Sequence, residues 1–427
     1  MARKTLRPVA ILGGVRTPFC RSNTLYADLG NLDMLSTAMQ GLVERFDLAG
    51  EKVDEVCAGA VINHSRDWNL AREAVLSTSL SPLTPAVTMQ QACGTSLQGV
   101  FTAAAKIATG QIDSAISAGS DTTSDPPIVF GRKIARRLVA LGRARDVRSK
   151  LAAFKGFSPR ELAPQPPSVG EPRTLLSMGQ HCELMAREWN IDRASQDELA
   201  VASHLNASKA YREGFFDDLL TPCAGVLRDN NLRDDASVEA MAGLRTVFDR
   251  SEQGTLTAGN STPLTDGASS VLLASEEWAK AHGIPVQAWL THMRSAAVDY
   301  VGGEGLLIAP AVAVSEMLRN ARLRFDRFSH FEVHEAFAAQ VLCTLKAWES
   351  PEYCRKRLKR REPLGPIDRS KLNIHGSSLA VGHPFAATGG RIVATLAKSL
   401  SQQSGGRGLI SVCTAGGMGL AAVAESP

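Results

Sequence analysis

The sequence predicts an α/β protein assembled from two similar halves, and three observations carry that expectation. Short apolar runs of strand length alternate with segments whose apolar residues recur every three or four positions. The order of these elements in residues 281–427 repeats the order found in residues 1–125. Between the halves, residues 126–245 change character, with basic and proline-rich stretches and long helical patterns in place of strands.

In the first half, Pro8–Gly14 (PVAILGG) reads as a short buried strand, Leu32–Phe46 as a helix and VDEVCAGAV as a second strand. Ala71–Leu80 is a further helix. A β-branched run ending at Thr88 then passes through QQACGTSLQG into the helical GVFTAAAKIATG, and QIDSAISAGSDTTS is a strand ending in a Gly-Ser loop. In the middle segment Gly131–Lys150 is strongly basic, Pro159–Pro172 is too rich in proline for a long helix, and Met178–Leu220 is helical. Thr255–Ser275 returns to strand character and rejoins the first half. Val286–Ser295 (strand), Ala311–Ala321 (helix), FSHFEVHEAF (strand), GHPFAATGGRIVATLAKSL (turn and helix) and GRGLISVCTAGGMG (strand and Gly-rich loop) then repeat the pattern. The expected domains are 1–125 plus 246–280, a covering domain 126–245, and 281–427. CRKRLKRR, Cys354–Arg361, reads as an exposed loop.

Bulk properties remove several classes of function. Lys and Arg exceed Asp and Glu by only 47 to 43, so a nucleic-acid partner is not suggested. The eight cysteines are scattered, without a CxxC pair or a Cys/His knot of zinc spacing, which points to a reducing intracellular compartment. No run approaches about 18 consecutive apolar residues, MARKTLRPVAILGG is too short for a signal core, and the ending ESP is no peroxisomal signal. The cytoplasm is the expected location.

Cys93 falls at a strand-to-helix turn, where the free N–H groups and the positive end of the helix dipole favour thiolate. On local sequence alone, a cysteine between alanine and glycine is more often a small buried hydrophobe. The duplication gives Cys93 a counterpart, His383, at the start of the equivalent helix. His334 in VHEAFAAQ and Cys413 in CTAGGMG lie at further strand ends. Two thiols and two imidazoles are a possible metal set, or a set for Cys/His base chemistry. Each stands alone in its own turn and not at short ligand spacing, which favours the base chemistry, with no metal.

Several blocks, in this order, carry a resemblance to a known family: VRTPF, QQACGTSLQG, SMGQHCELMAREWNIDRASQDELAVAS, GTLTAGNSTPLTDGA, HEAFAAQ, GHPFAATG and CTAGGMG. The chain resembles the thiolases over nearly its whole length, and most nearly the bacterial fatty-oxidation 3-ketoacyl-CoA thiolases and the β-subunits of trifunctional enzymes. That branch has HEAF where most thiolases have Asn-Glu-Ala-Phe. The resemblance implies the thiolase fold, duplicated halves forming a five-layer αβαβα core with a mainly helical insertion. It implies thiolytic cleavage of 3-ketoacyl-CoA, as in fatty acid β-oxidation, with CoA as a substrate and no cofactor.

The resemblance also implies roles. Cys93 would attack the 3-keto carbon, His383 would accept its proton, and Cys413 would protonate the acetyl-CoA enolate. One oxyanion hole would use His383 with a water held at position 334, the other the backbone N–H groups of Cys93 and Ala415. Here His334 replaces an Asn and Ala415 a Gly, and a backbone donor survives the second change unless positive φ is needed. Asn260, Ser261 and Thr262 would lie near the pantetheine arm, with Met178, Ala336 and Phe337 along the acyl tunnel. For Met178 and Phe337, plain core packing is the other reading.

Partners implied by the resemblance are a second copy or a dimer of dimers, and a hydratase/dehydrogenase α-subunit. The basic segment 132–151, with Ile134, Leu138, Leu141, Val147 and Leu151 near one helical face, reads as a solvated helix, a contact for CoA phosphates or a peripheral membrane contact. Three rivals stand beside degradation: an acetyl-CoA acetyltransferase running in the condensing direction, a decarboxylating ketoacyl synthase, which would lack Cys413 in its loop, and a non-catalytic CoA- or lipid-binding scaffold, which has no use for Cys93, His383 and Cys413.

Overall fold

The computed structural model describes residues 6–165, 168 and 170–427. Its first half runs β1 (Val9–Arg16), β2 (Cys20–Arg21), α1 (Asn31–Arg45), β3 (Glu55–Gly59), α2 (Leu70–Leu76), β4 (Ala86–Thr88), α3 (Thr95–Ala108) and β5 (Ser114–Asp121). The middle segment holds β6 (Val129–Phe130), α4 (Arg132–Arg143), α5 (Val147–Ala153), β7 (Pro164–Gln165), α6 (Met178–Glu188), α7 (Arg193–Arg212) and α8 (Val238–Ala242). After β8 (Thr265–Ser275) and α9 (Glu276–Ala281) come β9 (Ala288–Ala297), α10 (Ala309–Ala321), β10 (His330–Val333), α11 (Ala338–Glu349) and α12 (Pro351–Lys356). The chain closes with α13 (Ser378–Val381), α14 (Thr388–Ser401), β11 (Arg407–Thr414) and β12 (Met418–Glu425).

The strands join in the order β10-β11-β12-β9-β1-β8-β5-β3-β4, which is one arrangement used twice. β3 is parallel to β5 as β10 is to β11, and β8 is antiparallel to β5 as β12 is to β11. Even β4, parallel to β3, has a counterpart in Leu372, which bridges Phe331 of β10 in parallel. The repeat read from element order is thus present in the pairing.

Both faces of β1, β5, β8, β11 and β12 are covered, which is why these strands read as continuous apolar runs and not as alternation, whereas β4 and most of β9 keep exposed residues. In β8, Val271 and Leu273 pack with Leu97 and Val100 of α3 and Ile392 and Leu396 of α14, while Leu272 and Ala274 pack with Leu35 and Leu42 of α1. In β12, Leu420 and Ala422 join the α3/α14 layer, and Ala421 and Val423 pack with Val314 and Leu318 of α10. The stack is therefore helix, sheet, helix, sheet, helix, with α3 and α14 in the middle. Their approach is close: a Cβ on Gly389 would lie 2.6 Å from the Leu97 backbone nitrogen. The Gly390 N–H also donates to Ser96 Oγ at 2.8 Å, pinning the two helix starts together. This contact brings the turns that precede them, carrying Cys93 and His383, to one point.

The VRTPF block fastens the middle segment to the core. Arg16 and Asp229 form a buried two-bond pair (2.6 and 2.7 Å), and Asp229 also accepts from the Phe19 N–H and Tyr211 Oη–H. Removing one partner of a pair this buried typically costs about 3–5 kcal/mol, because the other charge is left unpaired.

Two expectations need correction. Cys354–Arg361 is not an exposed loop: α12 covers its first residues, and Cys354 and Leu358 are buried in the second-half core. Only its charged side chains face solvent, as snorkelling cations do. The basic segment is two helices broken at Ala144–Asp146 and not one continuous helix. Ile134 is buried, whereas Leu138, Val139, Val147 and Leu151 are exposed.

Candidate active site

Cys93 sits in a tight turn closed by Gly94 N–H to the Gln91 carbonyl and Thr95 N–H to the Ala92 carbonyl (3.0 and 3.1 Å). Ala92 has φ of 46°, a left-handed value that costs a non-glycine residue of order 1 kcal/mol or more and is retained where a side chain must be presented sharply. A side chain at Gly94 would force its neighbours to shift, since a Cβ there would meet Leu420 Cδ1 at 2.5 Å and Thr414 Cγ2 at 3.0 Å. Cys93 is the one cysteine of the eight that keeps partial exposure.

His383 follows Gly382, whose φ is 104°. Its own N–H donates to Thr265 Oγ1 of β8 at 2.7 Å, its Nδ1 lies 2.6 Å from Thr388 Oγ1 at the start of α14, and its Nε2 lies 3.1 Å from Cys93 Sγ. With Nδ1–H donating to Thr388, Nε2 presents its lone pair to the thiol. The two residues lie 290 positions apart and are brought together by the α3/α14 contact.

The ionisation of this pair differs from the expected thiolate. Burial pushes the Cys93 thiol up to about 12, opposed by the partial positive charge of the nearby backbone N–H groups of Ala415 and of Cys93 itself. Burial, helped by the charge of Arg391, pushes His383 down to about 3. Desolvation outweighs the helix end, and at neutral pH the resting pair is thiol and neutral imidazole. The same two N–H groups are those expected for the second oxyanion hole.

His334 is fully buried beside His383, with ring centroids 4.2 Å apart. Its Nδ1 lies 2.9 Å from Ser378 Oγ, which accepts an N–H from Arg391 at 2.7 Å, and its Nε2 has no partner. Cys93 Sγ and one ring nitrogen of each histidine lie within 4.8 Å of one another. Cys413 is buried at the end of β11, where burial and the nearby Cys93 hold its thiol well above the usual range. Ala415 has no positive φ, whereas Gly416 (76°) and Gly417 (71°) do, so the alanine is accommodated and the glycines after it make the turn.

The other expected residues form a second group. The Thr262 N–H and Oγ1–H both donate to the Ala336 carbonyl at 3.0 Å, and Ser261 bridges Phe337, so the GNST loop lies along the HEAF segment. The Asn260 side chain is spent inside the protein: it donates to Asp197 and the Thr255 carbonyl and accepts from Thr257 N–H. The Ser261 hydroxyl is buried without a partner. Met178, Ala336 and Phe337 join the hydrophobic cluster that includes Cys413, with Phe248 edge-on to Phe337.

Sequence reasoning missed several supports. Glu171, from the middle segment, accepts the Gly416 N–H at 2.8 Å and the Tyr300 hydroxyl at 3.1 Å, clamping the turn after Cys413. Asp121 accepts N–H groups of Val61, Ile62 and Ala386, holding the turn after His383. Neither has a local signature beyond being an acid at an apolar position.

A nucleophile-and-base pair flanked by amide donors and a second thiol, on a duplicated α/β frame, defines an acyl-transferring enzyme. Residues 9–277 match the family "Thiolase, N-terminal domain" and residues 284–426 match "Thiolase, C-terminal domain". The chain belongs to the thiolase family. It is 40% identical over 423 residues to a 3-ketoacyl-CoA thiolase of Shewanella woodyi, covering 98% of this chain and 96% of that one, and 39% identical with the same coverage to that of Shewanella pealeana. Among solved structures, a Bacillus anthracis acetyl-CoA acetyltransferase matches with TM-score 0.82 and 26% identity over 99% of this chain and all of that one. Human mitochondrial 3-ketoacyl-CoA thiolase in complex with CoA matches with TM-score 0.81 and 26% identity, covering 99% of each chain.

Proposed function

We propose that this thiolase cleaves 3-ketoacyl-CoA with CoA to give acetyl-CoA and a shortened acyl-CoA, as in fatty acid β-oxidation. The observation that carries this reading is the Cys93 sulfur, 3.1 Å from His383 Nε2 and in reach of the Ala415 N–H. The proton leaves Cys93 for His383 as the sulfur attacks the 3-keto carbon, so the ion pair forms only with the transition state. The resulting alkoxide is held by the N–H groups of Cys93 and Ala415. Its collapse breaks the C2–C3 bond, the electron pair passes to the thioester as an enolate, and Cys413 gives its proton to C2. Incoming CoA loses its thiol proton to Cys413, its sulfur takes the acyl group, and Cys93 regains its proton from His383.

His383 and His334 serve the enolate oxygen in this reading, with Ser261, Thr262, Met178, Ala336 and Phe337 along the substrate path and Asn260 holding the loop. Residues 126–245 act as the cover. Condensation of two acetyl-CoA molecules by the same residues is the second reading, favoured by the likeness to an acetyl-CoA acetyltransferase. Thiolysis of 3-ketoacyl-CoAs from C4 to C16 tests both. Turnover rising or holding beyond C4 is expected; activity at C4 alone supports the second reading, and none at any length removes both.

The proposed setting is cytoplasmic. Among the described residues no helix is long and apolar enough to cross a membrane. A homodimer or dimer of dimers is supported by β4, which ends the sheet with Val87 exposed, and a hydratase/dehydrogenase subunit is the further partner suggested by the family likeness alone. A peripheral membrane contact through residues 132–151 is supported by a groove of ≈ 930 Å³ lined by Arg132, Arg136, Arg143 and Arg145 beside the exposed apolar residues of α4 and α5. Sedimentation of the intact protein with and without anionic vesicles tests both contacts. A monomeric mass removes the dimer, and no co-sedimentation at low salt removes the membrane contact.

A further inference from the structure

We propose that Ser378 and Arg391 are positioning residues that lock His334 in the tautomer with its proton on Nε2, making it a fixed hydrogen-bond donor to the substrate thioester oxygen. The inference rests on the reading above, in which that oxygen gains charge as the enolate forms.

Arg391 has donors only, so its N–H at 2.7 Å occupies a lone pair of Ser378 Oγ. The remaining polar neighbour of that oxygen among the described residues is His334 Nδ1, at 2.9 Å. Were Nδ1 to carry the proton, the Ser378 hydroxyl hydrogen would be buried with no acceptor. The arrangement that satisfies every group sends the hydroxyl proton to Nδ1, and a neutral imidazole that accepts at Nδ1 is protonated at Nε2. Nε2 is itself buried and unpartnered, a donor left over by the protein in a ring that lies tilted against that of His383. Arg391 is held for this task by a second bond to Ser377 Oγ at 3.2 Å. Burial, His383 and the Arg391 charge together keep His334 neutral.

The lock has a second consequence. With its Nε2 lone pair taken by a proton and its Nδ1 engaged, His334 is withdrawn as a metal ligand, and only Cys93 and His383 of the three clustered residues offer free electron pairs.

Two reactions separate the lock from general support of the site. Exchange of the acetyl-CoA α-protons in D2O requires the enolate oxygen to be stabilised, whereas alkylation by iodoacetamide requires only Cys93 and its base. Ser378→Ala is expected to slow exchange by about 10-fold or more, with alkylation within about twofold of the parent, and Ser378→Thr, which keeps the hydroxyl, to recover exchange. In the [15N]histidine spectrum of the intact enzyme, the His334 signal, assigned by its loss in His334→Ala, is expected to show the Nε2–H pattern in the parent and lose it in Ser378→Ala. Parental exchange in Ser378→Ala, a Nδ1–H pattern in the parent, or parallel loss of alkylation each overturns the lock. His334→Ala separates the layers: parental exchange there removes the donor role of His334 itself, whereas loss there with no loss in Ser378→Ala removes the lock alone.

Discussion

Replacing Cys93 by alanine is expected to lower kcat for 3-ketoacyl-CoA thiolysis by on the order of 10⁴-fold or more, because no other group can carry the acyl chain between the two half-reactions. Cys413 is near but buried, and seven of the eight cysteines share that burial. Iodoacetamide is therefore expected to label Cys93 first and to abolish cleavage in step with labelling. The elevation of the thiol to about 12 makes a further claim. A thiol whose pKa is raised is still largely protonated at pH 8, so the alkylation rate is expected to climb steadily from pH 6 to 9. A preformed thiolate–imidazolium pair would instead react at a flat rate across that window. Full activity after Cys93→Ala would discard the mechanism; a flat profile would discard the neutral resting pair.

For His383→Ala the expected loss of acyl transfer is about 10²–10⁴-fold, the range for removing a positioned base. A bonding chain from Thr388 through His383 to Cys93 aims one nitrogen at the sulfur, and among the described residues no other side chain bonds it. The depression of His383 to about 3 sets the sign of the pH effect. A base with a lowered pKa stays unprotonated down to that value, so the acid limb assigned to this residue is expected well below the ordinary imidazole range near 6.5. A variant that still forms acyl-enzyme at the parental rate in a rapid-quench experiment would show that another base is used.

The α/β halves were legible because buried strands and small-residue turns leave strong local marks, and the second half writes those marks again. The equivalence of Cys93 and His383 followed from that repetition, and the Gly389–Leu97 contact is its physical basis. The ionisation of Cys93 was not legible. A helix start is visible in sequence, but the desolvation that overrides it comes from side chains gathered from distant parts of the chain. Glu171 was hidden for the same reason, acting on Gly416 from 245 positions away. The amphipathic pattern of 132–151 predicted one face and met two short helices, since spacing reports periodicity and not what lies against it.

The clamp from Glu171 to the turn that carries Ala415 joins the covering segment to the loop beside the nucleophile. A lineage remodelling the cover to admit other acyl groups would have to preserve a carboxylate at that spot, or evolve a new anchor for the loop. Chimeras that exchange residues 126–245 between relatives inherit the same constraint, so a graft can alter turnover through its anchorage as readily as through the tunnel it was chosen to reshape.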